Sequence, residues 1–116
     1  MPQITKRRID PNVVVLDISG RITLGRDCQD LEWAVEDLIR DNTTKVIFDL
    51  SRLDYVDSTG IGVIVMSVAK MTSAGGQLCL ASPQPRIIEL LRVTKLDQVW
   101  RLYATVAEAA DAFTAV

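Results

Sequence analysis

Residues 46–62 constrain the fold more than any other stretch. Val46-Ile47-Phe48-Asp49-Leu50 is an apolar, β-favouring run of the kind that forms a buried strand. After a short polar-apolar connection, Asp57-Ser58-Thr59-Gly60 opens a long segment with helical apolar spacing. A strand feeding a helix in this way is the unit of an α/β fold. It also places two hydroxyls, flanked by an acid and a glycine, where the free amides of a helix start gather.

The rest of the chain repeats the alternation. Residues 3–9 predict a first strand, and Asp10-Pro11-Asn12 a turn. Val13-Val14-Val15-Leu16-Asp17-Ile18 predicts a central strand ended by Gly20. Gly20-Arg21-Ile22-Thr23-Leu24-Gly25 then reads as a loop with apolar residues between two glycines. A helix is expected over residues 27–40, with Leu31, Ala34, Val35 and Leu38 as its core stripe. Trp33 falls on its polar side, either as a contact residue or packed under the Arg40 stem. Residues 45–50 form the buried strand, suited to cover on both faces. The helix from Ser58 runs to about Ser73 and stops at Gly75-Gly76. Residues 77–81 predict a strand, Pro85 sits in the first turn of the next helix, and residues 99–103 predict the last strand. Thr105-Val106-Ala107-Glu108 is a capping box that opens a final helix ending near Phe113. The order β-β-α-β-α-β-α-β-α implies one domain over residues 1–116, with a mixed, mostly parallel sheet of about five strands and about four helices. Ligand sites on such sheets lie beyond the carboxyl ends of the strands, where residues 20–25 and 57–62 should meet.

Composition narrows the function. A net charge of -2 argues against a nucleic-acid module, and the one basic run, Lys6-Arg7-Arg8, reads as a solvated edge strand. No stretch is long and apolar enough to cross a membrane, so a soluble cytoplasmic protein is the default expectation. Cys28 and Cys79 lack metal spacing and read as core residues. The chain has no histidine, which removes serine-histidine chemistry and most zinc catalysis. Around Ser58 the G-x-S-x-G elbow is also incomplete, because Val56 holds the first glycine position. An enzyme is therefore not expected, nor is a metal or cofactor.

Two readings of the Ser58 corner remain open on local grounds. Ser58 or Asp57 can serve simply as the helix N-cap, worth ~1 kcal/mol. Alternatively Ser58 is a phosphorylation site, whose new dianion would be received at a helix start with little rearrangement. The helix stripe Ile61, Ile64, Val65, Val68 and Met71 leaves Val63 and Met66 on the opposite side. Apolar residues there, near Ser58, hint at a partner surface that a dianion would disrupt.

Asp57-Ser58-Thr59-Gly60-Ile61-Gly62, following Phe48-Asp49-Leu50 at the end of an apolar strand, resembles the signature of STAS domains. The name covers sulfate transporters and anti-sigma factor antagonists. The resemblance extends over nearly the whole chain, through residues 20–25, Gly75-Gly76 and Thr94-Lys95-Leu96. It implies a bacterial anti-sigma factor antagonist. Unphosphorylated, such a protein holds an anti-sigma factor, typically a serine kinase, and frees a sigma factor. Phosphorylation of the serine after the motif aspartate, here Ser58, breaks the complex, and a metal-dependent serine phosphatase resets it. On the same footing Asp57 and Thr59 shape the acceptor loop, and Gly60 and Gly62 permit close approach. Arg21, Ile22, Thr23, Leu24, Val63 and Met66 would form the partner face. Many members carry Ser-Ser after the aspartate. This chain has Ser58-Thr59, which leaves Thr59 as an alternative acceptor. A stressosome-like scaffold or ligand-sensing STAS domain is the other reading, and weak self-association is left open.

Overall fold

The computed structural model describes residues 3–10 and 12–114; Pro11, at the centre of the expected Asp10-Pro11-Asn12 turn, lies outside the described residues. The elements run β1 (Ile4–Asp10), β2 (Val13–Ile22), α1 (Arg26–Arg40), β3 (Lys45–Val56), α2 (Ser58–Ser73), β4 (Gln77–Ala81), α3 (Pro85–Val93), a 3-10 turn (Leu96–Gln98), β5 (Leu102–Tyr103) and α4 (Val106–Thr114). The five strands form one sheet in chain order, β1-β2-β3-β4-β5. The first pair is antiparallel and the others are parallel. The expected α/β class and mixed, mostly parallel sheet are thus observed.

Strand alternation sorts the core into two layers. Leu16, Ile18, Val46 and Phe48 point to one face, where Leu31, Val35 and Leu38 of α1, Ile64 and Met71 of α2, and Ile87 and Leu91 of α3 cover them. Val13, Val15, Ile47 and Cys79 point to the other, under Ala109 and Phe113 of α4. Thr105 caps α4, its Oγ1 accepting from the Glu108 amide at 3.0 Å, which is one half of the expected capping box.

Three local expectations are corrected. β2 does not stop at Gly20 but continues to Ile22, and β3 does not stop at Leu50 but continues to Val56. Each extends because the other is beside it, pairing in parallel from Val14 opposite Val46 to Ile22 opposite Val56. Only residues 23–25 are then left as a connection to α1. At the far side of the sheet, the last strand shrinks to Leu102–Tyr103. Val99 is exposed, and Trp100 is buried in the larger core layer instead of pairing along a strand.

β1 is an outermost strand, as the basic run suggested, and its residues are mostly exposed. Arg7 does more than solvate the edge. It donates to Asp17 Oδ2 at 2.8 Å and reaches Asp49 Oδ2 at 3.3 Å, tying β1 across β2 to β3. Burial pushes the Asp49 carboxyl up, but hydrogen bonds from Ser51, its contact with Asp17 and the Arg7 charge outweigh that and hold it below the usual carboxylate range. Trp33 is 55% exposed, and Arg40 pairs with Asp37 at 2.7 Å. The indole lines a shallow hollow with Gln3, Ile4 and Asp37 at the β1 side of the molecule.

Candidate functional site

The carboxyl ends of β2 and β3 finish side by side, and the backbone crosses between them. The Asp57 amide donates to the Ile22 carbonyl at 3.2 Å, and α2 begins at the next residue. Its first turn lies so close to β2 that a Cβ on Gly60 would stand 2.6 Å from the Ile22 carbonyl oxygen and 2.7 Å from Val56 Cγ1. Gly60 is therefore required by the join itself. Gly62 is different: an added Cβ would meet nothing within 4 Å, so the close approach expected of both glycines belongs to Gly60 alone.

Asp57 is the N-cap. It takes an extended backbone conformation, and its Oδ1 accepts from the Gly60 amide at 2.8 Å. Its other oxygen, Oδ2, accepts from the Leu24 amide at 2.9 Å. One carboxylate thus ties the start of α2 to the connection between β2 and α1. The Gly60 and Leu24 amides hold this carboxyl below the usual range, so it is ionised at neutral pH.

With Asp57 capping, Ser58 has no capping duty. Its side chain is exposed, and its hydroxyl has no hydrogen-bond partner among the described residues. Thr59 is exposed as well, but the two hydroxyl residues border different hollows. Ser58 borders one of about 590 Å³ with Tyr55, Val56, Arg86, Ile87, Leu90 and Val93, between the end of β3 and α3. Thr59 borders one of about 480 Å³ with Leu24, Gly25 and Cys28, on the α1 side.

The expected partner face is redrawn by burial. Leu24 is 76% exposed and Met66 53% exposed, while Val63 is 6% exposed and Ile22 is fully buried. Val63 and Ile22 both belong to the larger core layer with Cys28 and Leu31, so neither can meet a partner. Val63 is covered because α2 packs sideways against α1, where Lys70 also meets Glu36 at 3.2 Å. Of the expected face, Leu24, Met66 and Arg21 are left exposed, with Val65 of α2 exposed as well, and the Arg21 guanidinium lies 4.7 Å from the centre of the Tyr55 ring. Thr23 is half-buried and donates to Asp27 Oδ2 at 3.3 Å.

Sequence reading missed Tyr55, Arg86 and Val93. Their signal was faint: Tyr55 lies in what read as a connection, and α3 is remote in the chain. Arg86 has no ion-pair partner among the described residues, whereas Glu89 beside it is held by Arg92 at 2.6 Å. The charged residues lining the Ser58 hollow are Arg86, without an ion-pair partner among the described residues, and the carboxylates Asp57 and Glu89.

Both cysteines are buried. Burial raises the Cys28 thiol, with Asp57, Asp27 and Glu32 adding to it, and burial pushes Cys79 up to about 12. Neither is activated as a thiolate. Among the described residues no three His, Cys, Asp or Glu side chains are grouped to hold a metal ion, and no helix is long and apolar enough to cross a membrane.

The chain matches the family model for the STAS domain over residues 5–109. It is 30% identical to the anti-sigma-F factor antagonist RsfB of Mycobacterium tuberculosis, covering 84% of this chain and 78% of that one. Among solved structures, a Thermotoga maritima protein provisionally classed as an anti-sigma factor antagonist superposes with a TM-score of 0.85 at 25% identity, covering 94% of this chain and 92% of that one. The Bacillus cell fate determinant SpoIIAA in its phosphorylated form shares the fold, with a TM-score of 0.74 at 21% identity over 95% of this chain and 98% of that one.

Proposed function

The chain belongs to the STAS domain family, and on that footing we propose that it is an anti-sigma factor antagonist switched at Ser58. The unphosphorylated protein holds an anti-sigma factor that is itself a serine kinase, and so frees a sigma factor in the cytoplasm. Phosphorylation at Ser58 ends that hold, and a serine phosphatase restores it. The chain is substrate and binding partner in this cycle; the catalytic groups belong to the kinase and the phosphatase.

The observation that carries the reading is the state of the Ser58 hydroxyl. A serine at a helix start is ordinarily consumed as a cap. Here Asp57 caps, and Ser58 stands exposed with no partner among the described residues. A phosphoryl group placed there adds about -1.5 to -2 charges next to Asp57, the residue that holds the exposed Leu24. The effect falls on the surface, because the core beneath is already filled by Val63 and Ile64. Ser58 is favoured over Thr59 by the cation at its hollow, Arg86. The names of the relatives support the antagonist role and say nothing of the residue.

The test is a pull-down from host lysate with wild-type protein and Ser58→Asp as baits, followed by ATP and phosphosite mapping. A kinase retained by wild type, lost by Ser58→Asp and marking Ser58 is the expected result. Equal retention by both baits with no mark on Ser58 or Thr59 sinks the reading. A ligand-sensing role is favoured by one feature, the largely apolar hollow of about 590 Å³ beside Ser58. Native mass spectrometry that finds a small molecule retained by Ser58→Ala and wild type alike would turn the assignment that way.

A further inference from the structure

We propose that Asp57 is a positioning residue that locks the exposed Leu24 connection to the Ser58 turn, and that phosphorylation of Ser58 releases that lock. The proposal rests on Ser58 being the modified residue and adds how the modification is transmitted.

Residues 23–25 carry little else to hold them. Leu24 is 76% exposed, and its amide has one hydrogen-bond acceptor among the described residues, Asp57 Oδ2 at 2.9 Å. Among the described residues the Thr23 hydroxyl bonds forward to Asp27, and the next backbone tie, Gln29 amide to Gly25 carbonyl at 3.1 Å, already belongs to α1. The backbone is anchored as far as Ile22, whose carbonyl accepts from the Asp57 amide at 3.2 Å; beyond it, among the described residues, the Asp57 side chain is what ties Leu24 to the Ser58 turn.

That side chain also uses the amide a phosphate would want. A phosphoryl group on the first residue of α2 finds its nearest donors in the free amides of the first turn. The Gly60 amide among them is already given to Asp57 Oδ1 at 2.8 Å. The dianion competes for it with more charge and three acceptor oxygens, and it repels the neighbouring carboxylate. Arg86, which lines the Ser58 hollow, favours the phosphoryl group in that contest, while Glu89 of the same lining is already paired with Arg92. The two oxygens of Asp57 belong to one rigid planar group. A carboxylate pushed away from the turn by the dianion is therefore drawn from both amides at once. A charge placed on one element frees an apolar contact residue on another.

The experiment compares 15N-labelled protein carrying serine or genetically encoded phosphoserine at position 58, with the Leu24 amide as reporter. In the unmodified protein this amide should be protected from solvent exchange, and phosphoserine should speed its exchange about tenfold, the scale of one lost bond to a charged acceptor. Asp57→Asn supplies the control. Asparagine caps as well as aspartate but has a single acceptor oxygen, so it keeps the Gly60 bond and drops the Leu24 bond. In Asp57→Asn the Leu24 amide should exchange fast without modification, and phosphoserine should add nothing. A Leu24 amide equally protected with serine and phosphoserine overturns the proposal, and that comparison needs no substitution at 57. An equal acceleration in wild type and Asp57→Asn overturns it too. Both readouts are internal to the chain, so their failure is distinct from failure of the pull-down, which concerns the partner.

Discussion

The inner and outer sides of α2's opening turns each carry a glycine, and the two answer to different constraints. Gly60 faces inward, where the Ile22 carbonyl and Val56 leave no room for a Cβ. Gly62 faces outward into open space, two residues further on. The inner side is filled to the limit because two strand ends and a helix start must meet there. The outer side is bare, and it holds the exposed Ser58 and Met66. The difference separates what the fold requires from what the fold leaves available.

Substitutions along this divide should break or sharpen it. Gly60→Ala should have the largest effect, destabilising by ~1–3 kcal/mol or more, because the clash at 2.6 Å is with backbone that cannot yield. Urea unfolding measures it, and unchanged stability would remove the claim that the join dictates this glycine. Ser58→Asp should act on the other side only. Its stability should stay within about 0.5 kcal/mol of wild type, while affinity for the anti-sigma partner falls about tenfold or more. Calorimetric titration beside a thermal melt reads both, and parallel losses in the two would mean that Ser58 belongs to the fold after all. Gly62→Ala should stabilise the free protein by up to about 1 kcal/mol, since the helix gains a better former and nothing is displaced. A destabilised Gly62→Ala would show that the outer side is not bare.

The smallest effect is expected from acid. Asp57 has its pKa lowered in the folded protein by the Gly60 and Leu24 amides. A lowered carboxylate contributes stability that is fully present above its unfolded value, about 3.9, and is lost as pH falls through the folded value. Stability measured downward from about pH 4 should therefore decline less in Asp57→Asn than in wild type. Identical acid limbs would show that the two amide bonds do not favour the charged form.

The corner itself was legible because its signals are local. An apolar strand run, an acid and two hydroxyls at a helix start, and a capping box at Thr105 all speak within a few residues. Strand length was not legible. Residues 51–56 alternate too weakly to read as strand, and they become one because β2 lies alongside and pairs to Val56. Val63 was read as surface because one face of α2 was assigned to the core. In the fold α2 is covered both from below by the sheet and from the side by α1, so it buries a wider arc. Tyr55 and Arg86 joined the site because α3, distant in the chain, packs against β3.

Sequence alone determined that a strand runs into a helix at residues 57–60 and that Ser58 or Asp57 would cap it. Which residue would cap was decided only in three dimensions. The Leu24 amide, 33 residues away, arrives at the same point as the Gly60 amide. Of the side chains on offer, only a carboxylate has two oxygens to accept from both. Asp57 takes the cap for that reason, and the Ser58 hydroxyl is left exposed and, among the described residues, unbonded.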